Sequence, residues 1–67
     1  MNITEKELEI VCGNACDTLL YFDPFFDLED FRKKVWSILQ KNTGIKKEEL
    51  EKNLYINNYI EDWFYNM

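Results

Sequence analysis

Apolar residues recur at helical spacing almost from the start of this chain. At about 100° per residue, Leu8, Val11, Cys12, Ala15, Cys16, Leu19 and Phe22 fall on one stripe. Lys6, Glu9, Gly13, Asn14, Asp17 and Thr18 fall on the other side, with Ile10 and Tyr21 outside the stripe. Thr4 followed by Glu7 has the spacing of a capping box, so the pattern predicts a first helix over about 4–22. Gly13 lowers helix propensity by about 1 kcal/mol relative to Ala, yet the stripe keeps its phase across it. Asp23-Pro24 ends this helix, because the residue before a proline avoids helical dihedrals.

A second helix is predicted over about 28–43. Asp27 is its N-cap, with Glu29 and Asp30 in the first turn, where carboxylates favour the positive end of the helix dipole. Leu28, Phe31, Val35, Ile38 and Leu39 form its buried stripe, Trp36 lies at the stripe's edge, and Gly44 is the stop. Beyond it the phase changes: Leu50 and Leu54 point one way on a continuous wheel, while Ile56, Tyr59, Ile60, Trp63 and Phe64 point nearly opposite. One straight helix cannot bury both sets. The expectation is therefore a short helix over about 46–54, a break at Tyr55 to Asn57, and a last helix over about 58–66 capped by Asn58 with Glu61 behind it. No period-2 alternation competes with these segments. The fold class expected is all-α, a compact bundle of three to four short helices forming a single domain over residues 1–67.

Size narrows the picture further. A chain of 67 residues buries only about 60% of the surface its unfolded form exposes, so the core is lean and self-association is an expectation to test. With 46% apolar and 31% charged residues the composition is that of a folded chain. No basic start followed by an apolar stretch opens the sequence, and no run has the length to cross a bilayer, which points to a cytoplasmic protein without a membrane partner. The formal charge of −5 opposes direct nucleic-acid binding, because such a chain repels a phosphate backbone.

Candidate chemistry is sparse. Cys12 and Cys16 stand one helical turn apart, but there is no histidine and no third cysteine, so buried packing explains them better than a closed zinc site. Asp23, Asp27, Glu29 and Asp30 lack the alternating spacing and central glycine of a calcium loop, and capping accounts for them. No nucleophile with a base and no glycine-rich phosphate loop is present. Neither catalytic residues nor a metal or cofactor are therefore assigned, and an enzyme is not expected. Leu39, Gly44, Ile45 and Leu50 occupy positions of a helix-turn-helix, but Lys46, Lys47 and Lys52 are offset by Glu48, Glu49 and Glu51 in the would-be recognition helix. Thr43 to Leu50 is similar to the loop after the first helix of acyl carrier proteins; the Asp-Ser-Leu that carries their prosthetic group is absent from this chain, which rules that identity out.

Aromatic residues make up 16% of the chain, more than a lean helical core needs. Tyr21, Phe25, Phe26, Trp36, Tyr55 and Tyr65 fall off the stripes or at their edge, and such rings, when exposed, mark interfaces. The segment from Tyr21 to Phe31 interleaves rings with carboxylates. The candidate partner-binding residues are accordingly Tyr21, Phe25, Phe26, Asp27, Asp30, Trp36, Tyr59 and Trp63. The expected function is a small, acidic, non-catalytic protein-interaction module. It would inhibit or regulate another protein, with homodimerisation through the C-terminal segment as a further expectation. The Asn-, Lys-, Ile- and Tyr-rich usage suggests an AT-rich genome, such as that of a phage or mobile element. Two alternatives are an acidic mimic of nucleic acid that blocks a nucleic-acid-binding protein, and a dimeric helix-turn-helix-like DNA-binding regulator.

Overall fold

The computed structural model describes residues 3–22 and 27–66. Among them the chain forms four α-helices and no strand: α1 (Glu5–Phe22), α2 (Leu28–Thr43), α3 (Lys47–Lys52) and α4 (Leu54–Tyr65). Most helix ends have a local cause. At the start of α1 the Thr4 hydroxyl accepts from the Glu7 N–H at 3.1 Å and donates to Glu7 Oε1 at 2.8 Å. Asp27 Oδ1 accepts from the Asp30 N–H at 2.9 Å, which starts α2. Gly44 ends α2 with φ 76°, and its N–H donates to the Gln40 carbonyl at 3.0 Å. Only glycine takes that left-handed geometry without strain. The buried Thr43 hydroxyl donates to the Leu39 carbonyl at 2.7 Å and accepts from the Ile45 N–H at 3.2 Å, so it leaves no unpaired polar group.

The break between the last two helices lies earlier than the sequence pattern placed it. It falls at Asn53, not at Tyr55 to Asn57, and Asn53 is the cap of α4, its Oδ1 accepting from the Ile56 N–H at 3.1 Å. Asn58 is an exposed residue inside α4. The reversal of phase is real and is absorbed at one extended residue, Asn53 (φ −83°, ψ 91°). Leu50 and Ile56 both end fully buried on either side of it. Leu54, assigned to the same inward face as Leu50, is instead the first residue of α4 and is 76% exposed.

Contacts between helices fix their directions. Arg32 pairs with Glu61 and Trp36 with Asn57, so α2 and α4 run antiparallel. Glu9 meets Tyr55, Gly13 meets Tyr59, and Leu20 lies in one groove with Trp63, so α1 and α4 run parallel. Parallel neighbours cannot be joined by a tight turn, and α2 and α3 together supply the crossover. The core between them holds Leu8, Cys12, Ala15, Cys16 and Leu19 of α1, with Phe31, Val35, Trp36 and Leu39 of α2. Leu50 of α3 and Ile56 and Ile60 of α4 complete it. Val11, Leu20 and Ile38 pack around it half-buried. Leu28, read as part of the α2 stripe, is half-buried at the helix start.

Candidate protein-docking site

The contacts of α4 with α1 and α2 join residues far apart in sequence. Asn57 is the hub: its Oδ1 accepts from Trp36 Nε1 at 3.0 Å, and its Nδ2 donates to the carbonyls of Leu50 at 2.9 Å and Glu51 at 3.2 Å. One amide thus joins α2, α3 and α4. The sequence pattern puts Trp36 at the edge of the α2 stripe, among the candidate partner-binding rings; this bond lets its polar N–H enter the core, and the residue is only 9% exposed. It is removed from the candidate docking surface.

The parallel α1–α4 pair is where the remaining rings collect. A Cβ at Gly13 would lie 2.9 Å from the Tyr59 hydroxyl oxygen, so the missing side chain is what admits Tyr59 against α1. One helical turn on, Tyr59 and Trp63 form a groove of about 360 Å³ with Leu20, Asp62 and Asn66. This groove opens near the end of the bundle at which α1 and α4 both terminate. Tyr21 and Phe22 stand there 77% and 80% exposed, their rings 6.5 Å apart, and Tyr65 is 71% exposed. Phe64 turns inward, its ring 5.8 Å from that of Phe31 and edge-on to Tyr65 at 5.4 Å.

Phe22 had been placed on the buried stripe of α1. Its phase is right, but it is the last residue of the helix and lies beyond what α2 and α4 cover. Phe25 and Phe26 lie outside the described residues. Asp27 and Asp30 begin α2 at this same end, but both have structural work: Asp27 caps the helix and Asp30 pairs with Lys34 at 3.3 Å. The structure therefore brings together Tyr59 and Trp63, with Tyr21 at the adjoining helix end, and separates them from Trp36. Sequence reasoning missed Leu20, Asp62 and Asn66 in the groove, and the exposure of Phe22 at the end of α1. The available signal was position, since apolar residues at the last turn of a helix lose their neighbours.

Charge is distributed unevenly over this architecture. α1 carries Glu5, Glu7, Glu9 and Asp17 against Lys6 alone, and α4 carries Glu61 and Asp62 with no cation. Together these two helices account for a formal charge equal to the −5 of the whole chain. Neither has a basic residue in its last turn to meet the negative end of its dipole. Among the described residues the ion pairs are Arg32–Glu61, Lys34–Asp30 and Lys47–Glu51, and none engages Asp17 or Asp62.

Elsewhere the arrangement offers little chemistry. A depression of about 440 Å³ between α1 and α2, walled by Val11, Asn14, Ala15, Thr18, Ile38 and Asn42, carries no ring and no charged group. Cys12 and Cys16 are fully buried. The hydrogen bond with Cys12, reinforced by burial, pushes the Cys16 thiol up and keeps it protonated. Tyr55 donates to Glu9 Oε2 at 2.9 Å, and that bond raises its pKa from the ordinary 10.0. Among the described residues no group of three or more His, Cys, Asp or Glu is placed to hold a metal ion. Among them, too, no helix is long and apolar enough to cross a membrane. Comparison with known protein families, curated proteins and solved structures finds no match.

Proposed function

We propose that this chain is a small, non-catalytic protein-interaction module that inhibits or regulates another protein in the cytoplasm. One observation carries the reading: with a filled core behind them, Tyr21, Phe22 and Tyr65 remain more than 70% exposed at one end of the bundle. Burying such rings against a partner would recover about 25 cal/mol for each Å² of apolar surface removed from water. The two alternatives have less support. A nucleic-acid mimic requires an array of unengaged carboxylates, whereas Glu7, Glu9 and Glu61 are each bonded within the fold. A DNA reader requires a recognition helix, and α3 has only six residues, in which Glu48, Glu49 and Glu51 outnumber Lys47 and Lys52.

The test is photo-crosslinking in the source cells, with a benzophenone amino acid in place of Tyr21 on one face or Ser37 on another. A single protein crosslinked from either position supports the module reading. The absence of any specific adduct from both, alongside a DNA mobility shift at low salt that fades as salt rises, would replace it with the DNA-binding alternative. Light scattering at high micromolar concentration decides separately whether the chain pairs with itself.

A further inference from the structure

We infer that the end of the bundle where α1 and α4 terminate is a docking site for a cationic amphipathic segment of a partner protein, one in which Lys or Arg alternates with apolar side chains. This deepens the reading of the chain as an interaction module and rests on it. Three features of different origin converge on that chemistry.

The first is shape and apolarity. The groove between Leu20, Tyr59 and Trp63 is open and about 360 Å³ in volume, enough for one or two side chains and not for a folded insertion. Tyr21 and Phe22 stand exposed at the same end of α1. The second is the carboxylate of Asp62, which lines the same groove and takes part in no ion pair among the described residues. A Lys or Arg stem lying along Trp63 would place its charged head at Asp62, and an aromatic face favours a cation above it. The third is the backbone. Both helices end here with their negative dipole ends together and no basic residue in either last turn. Cations from another chain would supply what the sequence leaves out.

Charge also decides between occupants. A second copy would bring an equally acidic α1–α4 face and the same helix ends without basic residues against this one, a like-charge juxtaposition that opposes association. Seven of the eight basic residues, from Arg32 to Lys52, lie on α2, α3 and their connection, so a self-complementary contact through the groove has no cation to offer. A basic partner has no such conflict.

The probe is a synthetic amphipathic helix of Leu and Lys, compared with two relatives in which Glu replaces Lys or Ser replaces Leu. Nuclear magnetic resonance shifts locate it, and titration gives its affinity. The expected result is binding of the Leu/Lys peptide alone, with shifts at Leu20, Asp62, the Trp63 indole and Asn66. That binding should weaken with added salt, and about tenfold in Asp62→Lys, a substitution at an exposed site that leaves the core intact. Trp63→Ala should weaken it as well, with circular dichroism confirming the fold. Equal binding of the Glu peptide, shifts confined to the α1–α2 depression, or no binding at all would overturn the assignment. So would the same shifts arising without peptide as the protein is concentrated, which would identify a second copy as the occupant. The crosslinking experiment separates the two claims: a partner captured from Ser37 and not from Tyr21 leaves the module standing and removes this site.

Discussion

Replacing Asn57 by Ala removes the three side-chain hydrogen bonds that hold α2, α3 and α4 together. The three losses are unequal. The Leu50 carbonyl also accepts from the Asn53 N–H at 3.2 Å, so it keeps a partner, and the Glu51 carbonyl belongs to an exposed residue that water reaches. Trp36 Nε1 is different. It sits on a side chain only 9% exposed, and leaving such a donor unpaired costs about 1–3 kcal/mol. The other two bonds add about 1 kcal/mol, and the better helix propensity of Ala returns about 0.5 kcal/mol. The net expectation is about 2 kcal/mol, which in a domain of this size lowers Tm by about 8–16 °C. Urea and thermal unfolding followed by circular dichroism measure it. A double-mutant cycle with Trp36→Phe isolates the decisive part, because in that background no indole N–H is left to orphan. Coupling of about 1–2 kcal/mol is expected. An Asn57→Ala cost below about 0.5 kcal/mol, or strict additivity in the cycle, would refute the claim that this amide is what allows a tryptophan into the core.

Three further outcomes follow from other contacts. Gly13→Ala sets a propensity gain of about 1 kcal/mol against displacement of the Tyr59 hydroxyl, so it should be nearly neutral alone. Combined with Tyr59→Phe it should become stabilising relative to Tyr59→Phe; an equal effect in both backgrounds would show that the close approach is irrelevant. Cys12 and Cys16 should react with a disulfide reagent only as fast as the protein unfolds, and labelling of the native protein at the rate of a denatured control would contradict their burial. Tyr55 should titrate above the ordinary value of 10.0, and Glu9→Gln should bring it down towards that value. Because the folded pKa is the higher one, this contact stabilises fully below the unfolded value and is lost as pH rises through the folded one. Phenolate absorbance of the wild type against Tyr55→Phe reads it, and a midpoint at or below 10.0 would exclude the hydrogen bond in solution.

The parts of this fold that were legible in the sequence are those whose cause is local. Thr4 with Glu7, Asp27 with Asp30, and Gly44 mark the limits of α1 and α2 because a cap and its helix are adjacent in the chain. The break before α4 was misplaced by a few residues because Asn53, Asn57 and Asn58 all have capping chemistry. Which of them caps depends on the tertiary fit of Ile56 and Ile60, not on periodicity. Asn57 is instead taken by Trp36, a partner on another helix that no local pattern announces. Phe22 and Leu54 show the opposite failure. Their wheel positions say inside, but each ends or begins a helix and stays mostly exposed. Tyr59 and Trp63 were legible as candidates, while the groove they share with Leu20 depended on the direction in which α4 runs beside α1.

That direction also decides how the protein can be tethered. With α1 and α4 parallel, the segment preceding Glu5 and the segment following Tyr65 leave the molecule at opposite poles, separated by roughly the 27 Å rise of α1. An affinity handle or fluorophore fused ahead of α1 stands well clear of Trp63. The same fusion appended after α4 emerges beside Asn66 and would obstruct whatever approaches there, so immobilisation chemistry alone can switch apparent binding on or off.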